Sequence, residues 1–190
     1  MISGMPSDKV PEPWRSLLAD IDAQCDQPIE MHCIGGFAVT LHYGFMRPTG
    51  DIDVWHVIPT DAAPWLAKIA GKGSELHRKH RVYVQVSAVA TVPEDYESRL
   101  VEVFPGEFEK LRILVLDPYD LALSKLERNA EIDVEDVKHL ARAANFDLDL
   151  FADRYRKELR PFVTGPEAKH DLTFELWIDA IKEERAQSKT

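Results

Sequence analysis

Apolar residues along this 190-residue chain change their spacing partway through. Up to about Leu116, short runs with two-residue alternation are interleaved with segments of helical spacing. Trp14, Leu17, Leu18, Ile21 and Cys25 recur at helical intervals and predict a first amphipathic helix, ended by Asp26-Gln27-Pro28. Ile29–Ile34 reads as a strand, and Phe37–Tyr43 as a short helix that begins just after Gly35-Gly36 and stops at Gly44. Asp51–Ile58 predicts a second strand. Pro59-Thr60-Asp61 opens a helix with Trp65, Leu66 and Ile69 on its apolar side. Val82–Val89 alternates cleanly, with Tyr83, Gln85 and Ser87 sharing one face. Pro93–Tyr96 begins a turn or short helix, Phe104–Glu107 forms a turn, and Leu111–Leu116 is a further strand.

From Asp117 the spacing is helical throughout. Asp117-Pro118 combines an N-cap with proline at the first helical position. Asp133 is expected to cap the next helix, with Val134, Val137, Leu140, Ala141 and Ala144 facing inward. Leu148, Phe151, Tyr155 and Leu159 stripe another helix, broken at Thr164-Gly165-Pro166. Phe174, Trp177, Ile178 and Ile181 mark the last. The expected class is therefore α+β: a small mixed sheet flanked by helices, then a helical C-terminal half. The expected organisation is a loose arm over 1–12, an α/β core over 13–116 and a helical region over 117–190 packed on that core.

Composition narrows the partners. A chain with 45% hydrophobic and 29% charged residues has the balance of a soluble globular protein. No apolar run approaches a membrane span, and the N-terminus has no apolar signal core, so the expected location is the cytoplasm, with no membrane partner. Cys25 and Cys33 lack metal-binding spacing and read as buried free thiols. The net charge of −10 argues against a surface that coats nucleic acid non-specifically. The densest basic run, His77-Arg78-Lys79-His80-Arg81, reads as a solvated loop before a strand.

The chemistry concentrates at two glycines and two aspartates. Asp51 and Asp53 stand one residue apart on a strand and so share a face. Paired carboxylates repel, so such a pair faces water, a cation or a metal, and hard oxygen ligands at this spacing suit Mg²⁺. Gly35-Gly36 before a helix offers free N–H groups and close approach for an anion. A phosphate site beside a divalent-metal site reads as nucleotide chemistry.

Gly35-Gly36 followed by Arg47-Pro48-Thr49-Gly50-Asp51-Ile52-Asp53 resembles the signature of the DNA polymerase β-type nucleotidyltransferase superfamily. The chain is most similar to small bacterial proteins related to AbiEii-type abortive-infection toxins. Leu116-Asp117-Pro118-Tyr119-Asp120-Leu121-Ala122-Leu123-Ser124-Lys125-Leu126 and Asp133-Val134-Glu135-Asp136-Val137 are similar to a downstream segment of those proteins. The resemblance implies a minimal nucleotidyltransferase fold, with Asp51 and Asp53 as Mg²⁺ ligands and Gly35, Gly36, Arg47 and Thr49 at the triphosphate of an NTP. It implies that Lys125 meets the triphosphate or a carboxylate, and that Asp136 is the family's later acid. The implied reaction moves an NMP onto an RNA end or a protein hydroxyl, with a cognate toxin or antitoxin as partner.

One position departs from the pattern. Many active superfamily members carry a third carboxylate on a later strand, where this chain has Gln85. A neutral amide is no general base. Glu94 or Asp95 could serve instead. Two other readings therefore stand beside the transferase: a catalytically weak or inactive, antitoxin-like binding module, and a small-molecule nucleotidyltransferase of the antibiotic-modifying kind.

Overall fold

The computed structural model describes residues 10–45, 48–86 and 90–187. Arg47, residues 87–89 of the expected third strand, and most of the expected arm lie outside the described residues. The chain divides into two compact units, residues 1–89 with 100–116, and residues 90–99 with 117–190.

The first unit is built on a five-stranded mixed sheet in the order β3-β2-β1-β5-β4. The strands are β1 (Ile29–Ile34), β2 (Asp51–Ile58), β3 (Tyr83–Val86), β4 (Val101–Val103) and β5 (Leu111–Val115). β1 is central, antiparallel to β2 and parallel to β5. β3 runs parallel to β2, and β4 antiparallel to β5. One face carries Met31, Cys33, Ile52, Val54, Val84, Ile113 and Val115, all at most 1% exposed. Helices α1 (Trp14–Asp22) and α3 (Ala62–Ala70) pack together and supply Leu17, Leu18, Ile21 and Leu66 to this core. Each such side chain contributes about 1.5–3 kcal/mol on burial. Both cysteines are buried and free, and burial pushes the Cys25 thiol up to about 11.

Two local readings change, and one strand is new. Trp65 is only half-buried; the inward side of α3 is Ala62, Leu66 and Ala70. The basic run is not a loop but helix α4 (Glu75–His80), capped by Ser74, whose hydroxyl accepts from His77 N at 3.0 Å. Lys79 and His80 reach Asp20 at 2.5 and 2.6 Å, and Arg78 donates to Gly73 O. β4, three residues long, has too short a run to show alternation.

The second unit is helical: α5 (Pro118–Leu123), α6 (Glu131–Ala143), α7 (Leu148–Arg154) and α8 (Glu167–Gln187). Asp117 caps α5 as expected, accepting from Asp120 N at 2.8 Å. Asp133 does not cap α6. The helix begins one turn earlier, and Asp133 reaches back from inside it to Ala130 N at 2.8 Å. Ala144 lies past the end of α6 and is exposed.

Burial alone would raise the pKa of Asp133, but the Arg128 fork, the Ala130 N–H and nearby Lys125 outweigh it and hold the carboxyl below its ordinary value. A depressed carboxylate stabilises the fold above its unfolded pKa, and that contribution is lost as pH falls through the folded value. Asp133→Asn is therefore expected to destabilise the protein at neutral pH. Urea unfolding should show the gap to wild type narrowing as the pH falls below about 4.

Candidate functional site

β1 ends at Ile34, and Gly35 and Gly36 open helix α2 (Gly35–Phe37), continued by a π-turn over Ala38–His42. The glycines thus lie inside the first turn rather than before it. The antiparallel register sets Ile34 opposite Asp53, so the turn out of β1 sits beside that aspartate. Gly35 has a left-handed φ of +69°, and a Cβ added there would lie 2.0 Å from Asp53 Oδ2. Only glycine allows both the backbone conformation and the carboxylate's approach.

Asp51 and Asp53 are half-buried, while Ile52 and Val54 between and beyond them are fully buried. The carboxylates therefore share the face opposite the core. Thr49 Oγ1 donates to Asp51 Oδ1 at 3.4 Å and to Asp51 O at 3.3 Å. Tyr83 OH donates to Asp51 Oδ2 at 3.1 Å. Burial, then the charge and hydrogen bond of Asp51, push the Tyr83 phenol above its ordinary pKa, which keeps it a donor. The Tyr83 ring is bordered edge-on by His77 at 5.0 Å, and Lys72 Nζ lies 5.9 Å from its centroid. Tyr83 was not singled out as a partner of Asp51. Its strand parity was the available signal; its strand's neighbour was not.

β3 pairs with β2 in parallel register, Tyr83 beside Asp51 and Gln85 beside Asp53. Gln85 is exposed and lies on the carboxylate face. Tyr83 and Gln85 thus lie side by side with the aspartates on one sheet rather than across a cleft from them. Glu94 and Asp95 belong to the other unit.

Lys125 sits in the turn after α5, not on a helix. Its side chain is 3% exposed, and its Nζ lies 2.8 Å from Asp136 Oδ2 and 3.7 Å from Asp133 Oδ1. The two downstream motif segments thus meet through a buried ion pair. Asp120, fully buried, is held by Arg99 Nε at 2.8 Å and Arg154 Nη1 at 3.0 Å. Neither arginine stood out from the sequence.

Two adjacent carboxylates at the head of a strand, pressed against a glycine turn, form a hard-oxygen donor set suited to a divalent cation. The chain belongs to the family described as "Nucleotidyltransferase of unknown function (DUF6036)", which matches residues 15–185. No curated protein and no solved structure matches it.

Gly35→Ala is expected to cost about 1–3 kcal/mol from the left-handed backbone alone and to displace Asp53. Thermal unfolding measures the first effect, and NMR shifts of the Asp53 carboxyl carbon the second. Lys125→Met is expected to cost about 3–5 kcal/mol, because it leaves buried carboxylates short of a counter-charge. Denaturant unfolding checks it.

Proposed function

We propose that this protein is a Mg²⁺-dependent nucleotidyltransferase that moves an NMP from an NTP to an RNA end or a protein hydroxyl. The observation that carries the reading is the placement of Asp51 and Asp53 on one sheet face, with Asp53 against the Gly35 turn. Their oxygens suit Mg²⁺, which when bound neutralises the triphosphate and the charge that develops on transfer.

The chain's own residues then have defined tasks. Thr49 and Tyr83 hold the Asp51 carboxylate in place by donating to its two oxygens. Gly35 and Gly36 keep side-chain bulk away from the anion's approach. In the reaction an acceptor hydroxyl oxygen bonds to the α-phosphorus, the bond from that phosphorus to the bridging oxygen breaks, and pyrophosphate leaves. The hydroxyl proton finds no base at Gln85, so it passes to water or to an acid residue elsewhere. Lys125 enters this scheme through Asp136 and Asp133, as the ion pair that shapes its own unit. Resemblance to AbiEii-related proteins favours the toxin of a toxin–antitoxin pair.

A second reading rests on Gln85 beside Asp53. In a chain without the third carboxylate, the same face binds nucleotide without turnover. Incubation with each α-labelled NTP and Mg²⁺, alone and with total RNA, separates the two. The transferase reading expects label in RNA or protein and its loss in Asp51→Asn and Asp53→Asn. Bound but untransferred nucleotide supports the binder. Gln85→Asp is expected to raise transfer by up to about 10²–10⁴-fold, the usual worth of general-base assistance.

A further inference from the structure

β2, which carries the carboxylates, and its neighbour β1 also unite two histidines that sequence spacing keeps apart. His32 on β1 and His56 on β2 are direct cross-strand partners. Their ring centroids are 5.4 Å apart with the planes at 82°, and a nitrogen of one ring lies within 4.8 Å of a nitrogen of the other. The pairing depends on an irregularity. The register shifts after His32, so that Cys33 faces Val54 and Trp55 is the extra residue of a β-bulge. Beyond the bulge, Val57 rejoins Ile52 and Val54 in the core, which leaves His56 on the face of Asp51 and Asp53. The next pair along that face is Ile34 and Asp53.

The geometry suits a metal. With Zn–N bonds of about 2.0–2.1 Å, two imidazoles on one tetrahedral ion have centroids roughly 5.2 Å apart. The observed centroid separation of 5.4 Å is close to that value, and the two nitrogens close to about 3.3 Å when they share one ion. His32 is 2% exposed on the central strand, so its backbone is held by hydrogen bonds from both neighbours, whereas half-buried His56 leaves a side open for entry. Imidazole nitrogens select Zn²⁺, Cu²⁺ or Ni²⁺, whereas the neighbouring carboxylates select hard ions.

We propose that His32 and His56 form a transition-metal site of the Zn²⁺ class, separate from the carboxylate site one rung away. Two ligands from the sheet unit staple β1 to β2 at the bulge. The inference does not depend on nucleotide transfer.

The test is titration of the metal-free chain with Zn²⁺ by calorimetry and with Co²⁺ by visible absorption. Wild type, His32→Gln, His56→Gln and the double variant Asp51→Asn/Asp53→Asn are compared, after circular dichroism confirms that each is folded. Wild type and the aspartate variant are expected to bind alike. Each histidine variant is expected to lose at least about tenfold in affinity. If His32→Gln does not fold, His56→Gln decides, because its side chain is not enclosed. The proposal is overturned if wild type binds no metal, if His56→Gln binds as wild type does, or if the aspartate variant alone loses binding. Failure of nucleotide transfer with intact histidine-dependent binding would strike the proposed function and leave this site standing.

Discussion

The contact between Gly35 and the Asp53 carboxylate is the constraint on which the candidate site depends. The antiparallel register of β1 and β2 puts Ile34 opposite Asp53, and the chain must then turn away from β1 within the width of one side chain. A left-handed glycine makes that turn without a Cβ in the space the carboxylate fills. The register also fixes which face Asp51 and Asp53 occupy, because a slip of one residue would exchange them with Ile52 and Val54. The core on one face and the donor set on the other are two results of the same pairing.

Charge is used differently in the two units. In the sheet unit Asp51 is oriented by hydroxyl donors, Thr49 and Tyr83, which leave its negative charge uncompensated by any cation among their own groups. In the helical unit the acids of the downstream segments are neutralised internally. Asp120 has Arg99 and Arg154, Asp136 has Lys125, and Asp133 has Arg128. Breaking such buried pairs is costly, so these residues specify the packing of α5 and α6 whatever else they do. An Asp51 carboxylate steadied by neutral donors retains its attraction for a cation.

The elements with strong periodicity were legible from sequence. β1 and β2 run over the expected residues, and Asp117-Pro118 starts α5, because alternation and cap chemistry are local. The nucleotidyltransferase family was legible in the glycine and aspartate spacing together with the downstream segment, and the chain belongs to one. Long-range pairings were not legible. Tyr83 meets Asp51 because β3 lies beside β2, an order that no local pattern encodes. His32 faces His56 through a bulge at Trp55, which breaks the strand alternation that sequence reading assumes. The basic run reads as a loop because its helix, α4, is short and sets Lys79 and His80 against Asp20, distant in sequence. Lys125 read as a site lysine, and its place between Asp136 and Asp133 depends on how α6 packs.

The central claim is that Asp51 and Asp53 hold a divalent cation together with a nucleotide triphosphate. Mn²⁺ binding followed by electron paramagnetic resonance tests it most directly, with and without a non-hydrolysable NTP analogue. The account predicts binding that tightens when the analogue is present and disappears in Asp51→Asn/Asp53→Asn while the fold is retained. Mn²⁺ binding that is indifferent both to the analogue and to loss of the two carboxylates would contradict it.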